Sequence, residues 1–197
     1  MAKLTAPLFS LGARGKLGNA LVYFPWKGID AVRRYVVPTN PNTTAQNTQR
    51  ANLEAGVTEW HAALYTELDK GAWNRLALTL ESVMSGFNAF MQTFVLQKIL
   101  GNIWYRIRFV TTHTILATSF KVNGEGADIA PSPICYYGTS KTSMLGTATG
   151  VFQVGQYWLF TITGLVADTL YYFQIRRGTS GTNYGKTGIY QQKTLAA

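Results

Sequence analysis

The chain has 197 residues, of which 47% are hydrophobic and 14% charged, and its formal net charge is +9. This length allows one large domain or two small ones of ordinary globular composition. No apolar run is long enough to cross a membrane, and the glycine-broken N-terminus predicts no secretion signal. The single cysteine, Cys135, excludes an intrachain disulfide. Because it lies in an apolar, strand-like run, we expect a buried structural thiol.

The excess positive charge is spread along the chain. Residues 1–108 contain 12 basic and 6 acidic residues, and the remainder contains 6 and 3. Such an excess favours acidic partners, either nucleic acid or an acidic protein lattice. Nucleic-acid binding requires a basic stripe with contacts at phosphate spacing, and no such stripe is evident, so direct nucleic-acid binding is disfavoured.

The region from Leu8 to about Pro38 is predicted to form an extended arm with a β-hairpin. Two strand-like runs, 21–26 and 31–37, flank the turn Lys27-Gly28. Glycines recur every three residues before the first run. They lack the G-K-[ST] ending of a phosphate loop, and no helix pattern follows them, so a flexible or bulged arm is the favoured interpretation.

Three short amphipathic helices are predicted after this arm. The first begins at the capping box Thr43-Thr44-Ala45-Gln46. The second follows a break at 69–71, with Asp69 as its N-cap. The third has Ser85 as its cap and ends near Gly101. Residues at helical spacing give the first helix its predicted apolar face, namely Leu53, Val57, Trp60 and Leu64.

From about Tyr105 onward, apolar residues alternate with a period of two, and turn signals separate the runs. About ninety residues of such short strands indicate an antiparallel β-sandwich. The predicted strands are Ile115–Val122, Ile134–Tyr137, Gly150–Val154, Tyr157–Thr163, Thr169–Arg176 and Gly188–Thr194. The predicted fold class is therefore α+β in two parts: an arm, hairpin and helices over 1–104, and an all-β sandwich over 105–197.

The segment Thr161–Phe173 resembles the E–F region of fibronectin type III domains. That family places a Gly-Leu pair, a short polar turn and Thr-x-Tyr before an alternating apolar strand. The resemblance implies that Leu165 closes the base of the core and that Tyr171 hydrogen-bonds to upstream backbone as the corner tyrosine. It also implies an F–G loop over 178–186. Tyr184 is the best candidate in this loop for a tip residue that recognises a partner, although a partly packed loop anchor is the favoured interpretation.

The first hundred residues are similar to a set of small phage- and prophage-associated proteins. The shared elements include Gly15-Lys16-Leu17-Gly18, Trp26-Lys27-Gly28 and Pro38-Thr39-Asn40-Pro41-Asn42-Thr43. The resemblance implies a virion component, made in the host cytoplasm, and it supplies no catalytic residues. The residues of the arm that we expect to contact partners are Lys16, Tyr23, Trp26, Arg33, Arg34, Pro38, Asn40 and Pro41.

Catalytic chemistry is poorly represented in this sequence. The two histidines, His61 and His113, lie in different regions, and with one distant cysteine they offer no metal-ligand spacing. No G-x-S-x-G elbow occurs, and no carboxylate pair is prominently placed in an apolar strand. We therefore expect no enzymatic activity, no cofactor and no metal.

Three functions from different classes remain open. The preferred one is a virion structural protein, a head decoration or cement subunit that binds capsid or tail proteins and copies of itself, because an extended arm suits strand addition. The second is a tail- or fibre-associated adhesion module that binds a host surface glycan or protein through the sandwich. The third is a basic internal protein associated with nucleic acid.

Overall fold

The computed structural model describes residues 2–3, 14–37, 41–80, 83–128, 131–178 and 183–197. The chain divides into two compact units, 1–43 and 44–197, which we call the N-terminal unit and the main unit. The described residues form three helices and three β-sheets, so the protein is mixed α and β.

The N-terminal unit is an antiparallel sheet of four described strands. They are β1 (Ala2–Lys3), β2 (Gly15–Leu17), β3 (Leu21–Trp26) and β4 (Ile29–Arg34), in the order β1-β4-β3-β2. Lys27 and Gly28 have φ values of 50° and 77°. Positive φ at both central residues is the requirement of a two-residue turn of type I′. Strands β3 and β4 pair antiparallel on either side of this turn, so the predicted hairpin is confirmed. Strands β1 and β2 extend it into a sheet that the glycine pattern did not predict.

The main unit begins with three helices, α1 (Thr44–Ala62), α2 (Glu67–Ala77) and α3 (Gly86–Ile99). Helix α3 has the predicted cap, since the Ser85 hydroxyl accepts the Asn88 N–H at 3.2 Å. Helix α2 begins earlier than predicted because Thr66, and not Asp69, is its N-cap. The Thr66 hydroxyl accepts the Asp69 N–H at 3.2 Å, and the Asp69 carboxylate accepts the Thr66 N–H at 3.0 Å, which completes a capping box.

The apolar face predicted for α1 is buried only in part. Trp60 packs on α3 as expected, with its ring centroid 5.1 Å from that of Phe90. Leu53 and Val57, however, are 51% and 40% exposed, and Leu64 lies beyond the end of the helix with φ at 51°. Gly56, one turn before Trp60, completes the contact with α3, because an added Cβ there would lie 2.7 Å from Met91 Cε and the absence of a side chain permits the close approach.

Ten strands complete the described part of the main unit. They are β5 (Ile103–Trp104), β6 (Arg108–His113), β7 (Ser119–Glu125), β8 (Ile134–Gly138), β9 (Gly146–Thr149), β10 (Val151–Gln153), β11 (Tyr157–Thr163), β12 (Leu170–Arg177), β13 (Asn183–Lys186) and β14 (Tyr190–Lys193). One sheet has the order β10-β11-β7-β6, and the other has the order β5-β13-β12-β8-β9 with β14 also paired to β12. Strands β5, β6, β9 and β13 were not among the predicted ones, and β7 begins at Ser119 rather than Ile115.

These two sheets pack face to face as a β-sandwich. Phe120 of one sheet and Phe173 of the other meet across the core with ring centroids 5.9 Å apart. Buried side chains of both sheets, including Val122, Phe160 and Ile175, join them in one cluster. Cys135 belongs to the same cluster, where burial raises the pKa of its thiol, as expected for a structural cysteine.

A second hydrophobic cluster joins the helices to the larger sheet. Phe90 and Phe94 of α3 contact Trp104 of β5, with ring centroids 5.5 Å and 5.3 Å apart. Tyr172 of β12 packs against the same cluster on the side of the sheet away from the sandwich core. The main unit therefore has three layers, helices on sheet on sheet. The predicted division at 104/105 is not confirmed, because helices and sandwich share this cluster.

Asp69 connects helix α2 to the sandwich. Its carboxylate is fully buried and accepts the N–H groups of Phe109 and Val110 at 3.1 Å and 3.3 Å. It also accepts the Tyr190 hydroxyl at 2.6 Å. Phe109 has φ at 50° within a β-bulge of β6, and this turns two successive N–H groups toward one anion, an arrangement that typically binds negative charge. The carboxylate thus compensates for the strained backbone at the bulge.

Candidate interaction surface

One face of the N-terminal sheet combines aromatic and basic side chains. The β3–β4 register places Val22 opposite Arg33, Phe24 opposite Ala31 and Trp26 opposite Ile29. Residues directly opposite in an antiparallel pair have side chains on the same side of the sheet. The face that we call the basic face consists of Lys16, Val22, Phe24, Trp26, Ile29, Ala31, Arg33 and Tyr35.

The opposite face has balanced charges. Because alternate residues of a strand point to opposite sides, Tyr23 and Arg34 lie on the other side from Phe24 and Arg33. This side also holds Asp30, the single acidic residue of the N-terminal unit. The face that we call the mixed face consists of Leu17, Leu21, Tyr23, Pro25, Asp30, Val32 and Arg34.

The cations of the basic face lie over its rings. Lys16 Nζ is 4.0 Å from the centroid of the Tyr35 ring, and Arg33 Cζ is 5.4 Å from that of Phe24. Each cation–π contact of this kind contributes about 0.5–1 kcal/mol at an exposed site. Lys16 and Arg33 are both exposed, so these contacts hold two positive charges at the solvent boundary of the sheet.

Burial within this sheet is slight. Among its described residues, Ala31 alone is buried, whereas Trp26 is 54% and Ile29 43% exposed. A sheet of this size normally gains its stability by packing one apolar face against another layer. The exposed tryptophan and isoleucine are therefore apolar surface that the sheet can bury on binding.

Over half of the net charge of the protein belongs to the N-terminal unit. Residues 1–43 contain 6 basic residues and 1 acidic residue, which gives +5, and the main unit has 12 and 8, which gives +4. The range 1–108 does not reveal this concentration of positive charge, because it combines the basic N-terminal unit with the acidic residues of the helices.

The residues predicted to contact partners do not all share one surface. Lys16, Trp26 and Arg33 lie on the basic face, whereas Tyr23 and Arg34 lie on the mixed face. Pro41 is exposed and precedes α1, and Pro38 and Asn40 lie outside the described residues. The basic face also includes residues that the sequence reasoning missed, namely Phe24, Ile29 and Tyr35. The cross-strand register of the predicted hairpin could have identified the first two of these.

The sandwich residues singled out by the fibronectin resemblance occupy three different environments. Leu165 is 6% exposed in the core, and the Tyr171 hydroxyl accepts the Val166 N–H at 3.0 Å, the geometry of a tyrosine corner. Tyr184 is no loop tip. It lies in β13 with its ring centroid 6.3 Å from that of Trp104, and burial raises the pKa of its phenol.

A polar cleft of about 380 Å³ lies in the main unit between α1 and the ends of β5, β6 and β7. Two ion pairs line it. Arg106 Nε and Nη2 donate to the Glu59 carboxylate at 2.5 Å and 2.7 Å, a bond that raises the pKa of Arg106. Arg108 Nη2 donates to Glu125 at 2.6 Å. Because each charge already has a partner, a ligand here would meet a neutral surface of alternating donors and acceptors.

Neither metal-binding nor membrane-spanning features occur in the described parts of the chain. No three or more His, Cys, Asp and Glu side chains there form a group that could hold a metal ion. Within those same ranges, no helix is both long enough and apolar enough to cross a membrane. His61 is an exposed residue of α1, and His113 lies in β6.

No protein-family model matches the sequence, and no curated protein matches it. Among solved structures, the chain is similar to the FN5 domain of Drosophila Lar, with 21% identity over 48% of this chain and 98% of that one, at a TM-score of 0.33. A redesigned β-sandwich protein matches with 16% identity over 46% of this chain and 90% of that one, at a TM-score of 0.36. Domains d3–d4 of the rat CD45 extracellular region match with 20% identity over 45% of this chain and 48% of that one, at a TM-score of 0.33. These neighbours are fibronectin-type and other β-sandwich domains, and the resemblance of the N-terminal region to phage proteins stays a prediction.

Proposed function

We propose that this chain is a non-enzymatic structural protein of a bacteriophage virion. It would be an accessory subunit, a head decoration or cement protein, that docks on a repeating protein lattice through its N-terminal unit. The observation that carries the proposal is the N-terminal unit, which has a net charge of +5 and a sheet in which, among its described residues, Ala31 alone is buried. The virion setting rests on the similarity of the N-terminal motifs to those of phage-associated proteins.

The difference between the two units supports a docking role. The main unit has two hydrophobic clusters of its own, which is what a folded body needs to be stable in isolation. The N-terminal sheet, with its exposed tryptophan, gains stability when another protein covers it. A repeating lattice offers the same complementary patch to every copy, so each copy can dock in the same way.

Mass spectrometry of purified phage particles tests this proposal. We expect the protein to be present in a fixed ratio to the major capsid protein after density-gradient purification. Particles assembled with the double variant Lys16→Glu/Arg33→Glu should lack it, whereas Lys27→Glu/Arg34→Glu, with the same net charge, should be retained. Absence of the unmodified protein from particles would contradict the proposal.

A second candidate function is adhesion to a host surface glycan or protein through the main unit, as a tail or fibre component. The cleft beside Glu59 and Arg106 favours it, because planar polar groups there can pair with sugar hydroxyls, and Trp104 and Gln156 also line it. Binding to a glycan array that is lost in Gln156→Ala, while the N-terminal charge variants bind normally, would support this candidate over docking.

A further inference from the structure

We propose that the basic face of the N-terminal sheet binds an acidic protein surface, with Trp26 as the apolar anchor and Lys16 and Arg33 as partners for carboxylates. This inference names the partner chemistry of the docking unit and so rests on the proposed docking function. It does not require that the partner be a virion protein.

The basic face has an apolar end and a charged end. Trp26 and Ile29 lie opposite each other at the hairpin turn, and both are exposed. Lys16 and Arg33 both lie opposite Val22, four residues back along β3, which is about 13 Å from Trp26 at the usual rise per residue. Exposed tryptophan and arginine are the residues that most often dominate binding energy at protein interfaces. The face therefore fits a partner with an apolar depression beside a cluster of carboxylates.

The cation–π contacts favour carboxylates over nucleic-acid bases. Proteins that bind single strands use open aromatic faces on which bases stack. Here the rings of Phe24 and Tyr35 already carry the cations of Arg33 and Lys16, so two of the three rings are covered. The groups exposed to a partner are therefore the positive charges of Lys16 and Arg33. The guanidinium of an arginine can form two parallel hydrogen bonds with a carboxylate.

The charge distribution also argues against a second copy of this chain as the occupant. The N-terminal unit and the main unit are both positive, at +5 and +4, so self-association at this face brings like charges together. The mixed face is the poorer site for an acidic partner, because Asp30 there offsets Arg34. Charge complementarity therefore selects both the face and the sign of its partner.

Fluorescence anisotropy with two labelled probes tests this inference on the full chain. One probe is a glutamate-rich peptide of about 20 residues with interspersed leucines, and the other is an oligo-dT of equal charge. We expect the peptide to bind more tightly than the oligo-dT, with an affinity that falls as salt rises. Lys16→Glu/Arg33→Glu should weaken peptide binding by about tenfold or more, and Trp26→Ala by about fivefold at low and high salt alike.

The matched control is Lys27→Glu/Arg34→Glu, which changes the net charge of the same unit equally but lies at the turn and on the mixed face. It should change peptide affinity by less than about threefold. Equal losses in the two charge variants, tighter binding of oligo-dT through Trp26, or no peptide binding would each overturn the inference. Circular dichroism verifies that each variant is folded. Absence of the protein from particles would contradict the virion proposal and leave the peptide result intact, so the two failures are distinguishable.

Discussion

Strand β3 of the N-terminal sheet and strand β11 of the sandwich have comparable aromatic content but very different environments. In β11, Trp158, Phe160 and Ile162 are buried, and the strand lies between two paired neighbours. In β3, whose sequence is LVYFPW, no residue is buried, and Trp26 is 54% exposed. The difference comes from packing. The sheet that contains β11 packs against the second sheet of the sandwich, whereas among the described residues of the N-terminal sheet only Ala31 is buried. An apolar strand is therefore a core element in one unit and exposed surface in the other.

Removal of the buried carboxylate of the main unit should have the largest effect on stability. Asp69→Ala leaves the buried Val110 N–H and Tyr190 hydroxyl and the partly buried Phe109 N–H without their acceptor. Since each unsatisfied buried group costs about 1–3 kcal/mol, we expect the free energy of unfolding, measured with urea, to fall by at least about 3 kcal/mol. Glu67→Ala in the same helical turn is the control and should cost about 0.5 kcal/mol or less. A loss below about 1 kcal/mol for Asp69→Ala would show that the carboxylate does not connect α2 to the sandwich.

A methyl group at Gly188 should separate the helices from the sheet. An added Cβ there would lie 2.2 Å from the Ala72 carbonyl carbon and 2.3 Å from the Trp73 nitrogen. Gly188→Ala should therefore cost about 1–3 kcal/mol as an overpacking change, measured by urea unfolding and tryptophan fluorescence. Gly71→Ala in α2 is the matched control, because its Cβ would meet only Arg75 Nη2 at 4.0 Å. It should be neutral or stabilising, and an equal loss in both variants would refute the close approach.

Alkaline pH should destabilise the main unit through Tyr190. Burial, and then the negative charge of Asp69 and the hydrogen bond to it, raise the pKa of Tyr190 well above 10.0. A folded-state pKa above the unfolded value means that the stabilisation is complete below pH 10 and is lost as the pH rises further. Above pH 10, the unfolding free energy of the unmodified protein should fall with increasing pH more steeply than that of Tyr190→Phe, by about 1.4 kcal/mol per pH unit. Parallel slopes above pH 10 would contradict this prediction.

The smallest effect should come from the N-terminal unit. Trp26→Ala removes a large side chain, but that side chain is 54% exposed, so the unfolding free energy of the main unit should change by less than about 0.5 kcal/mol. Differential scanning calorimetry of the full chain measures this. A loss of several kcal/mol would mean that Trp26 is a core residue, and the contrast between the two units would then fail.

The predictable parts of the fold were those with strong local signals. The Lys27-Gly28 hairpin, the Ser85 cap of α3 and strand β11 all follow from turn, capping or alternation rules that act within a few residues. Strand β6 was missed because its bulge at Phe109 interrupts the alternation of apolar residues. The Phe109 N–H at this bulge donates to Asp69, which lies forty residues earlier in the chain. A contact over such a separation cannot be predicted from a pattern of neighbouring residues.

The candidate contact residues of the N-terminal sheet come from the sequence, whereas their grouping into two faces comes from the structure. Lys16, Trp26, Arg33, Tyr23 and Arg34 were all expected to contact partners, and the pleat of the sheet divides the five between opposite faces. The alternation of a strand is enough to place Arg33 and Arg34 on opposite sides, but it does not tell which residues of the neighbouring strands join each of them. The cross-strand register brings Phe24 to Ala31 and Trp26 to Ile29, and this register separates the basic face from the mixed one.

The sequence by itself determined the mixed α and β content, the hairpin, the alternating strands of the sandwich and the excess of positive charge. These properties depend on interactions between near neighbours or on composition alone. Tertiary structure decided that the helices cover one sheet of the sandwich, that Asp69 of α2 is buried against the sandwich, and that Lys16 and Arg33 share one exposed face of the N-terminal sheet. Each of these depends on contacts between residues far apart in the chain, whose pairing is selected by packing and burial rather than by local preference.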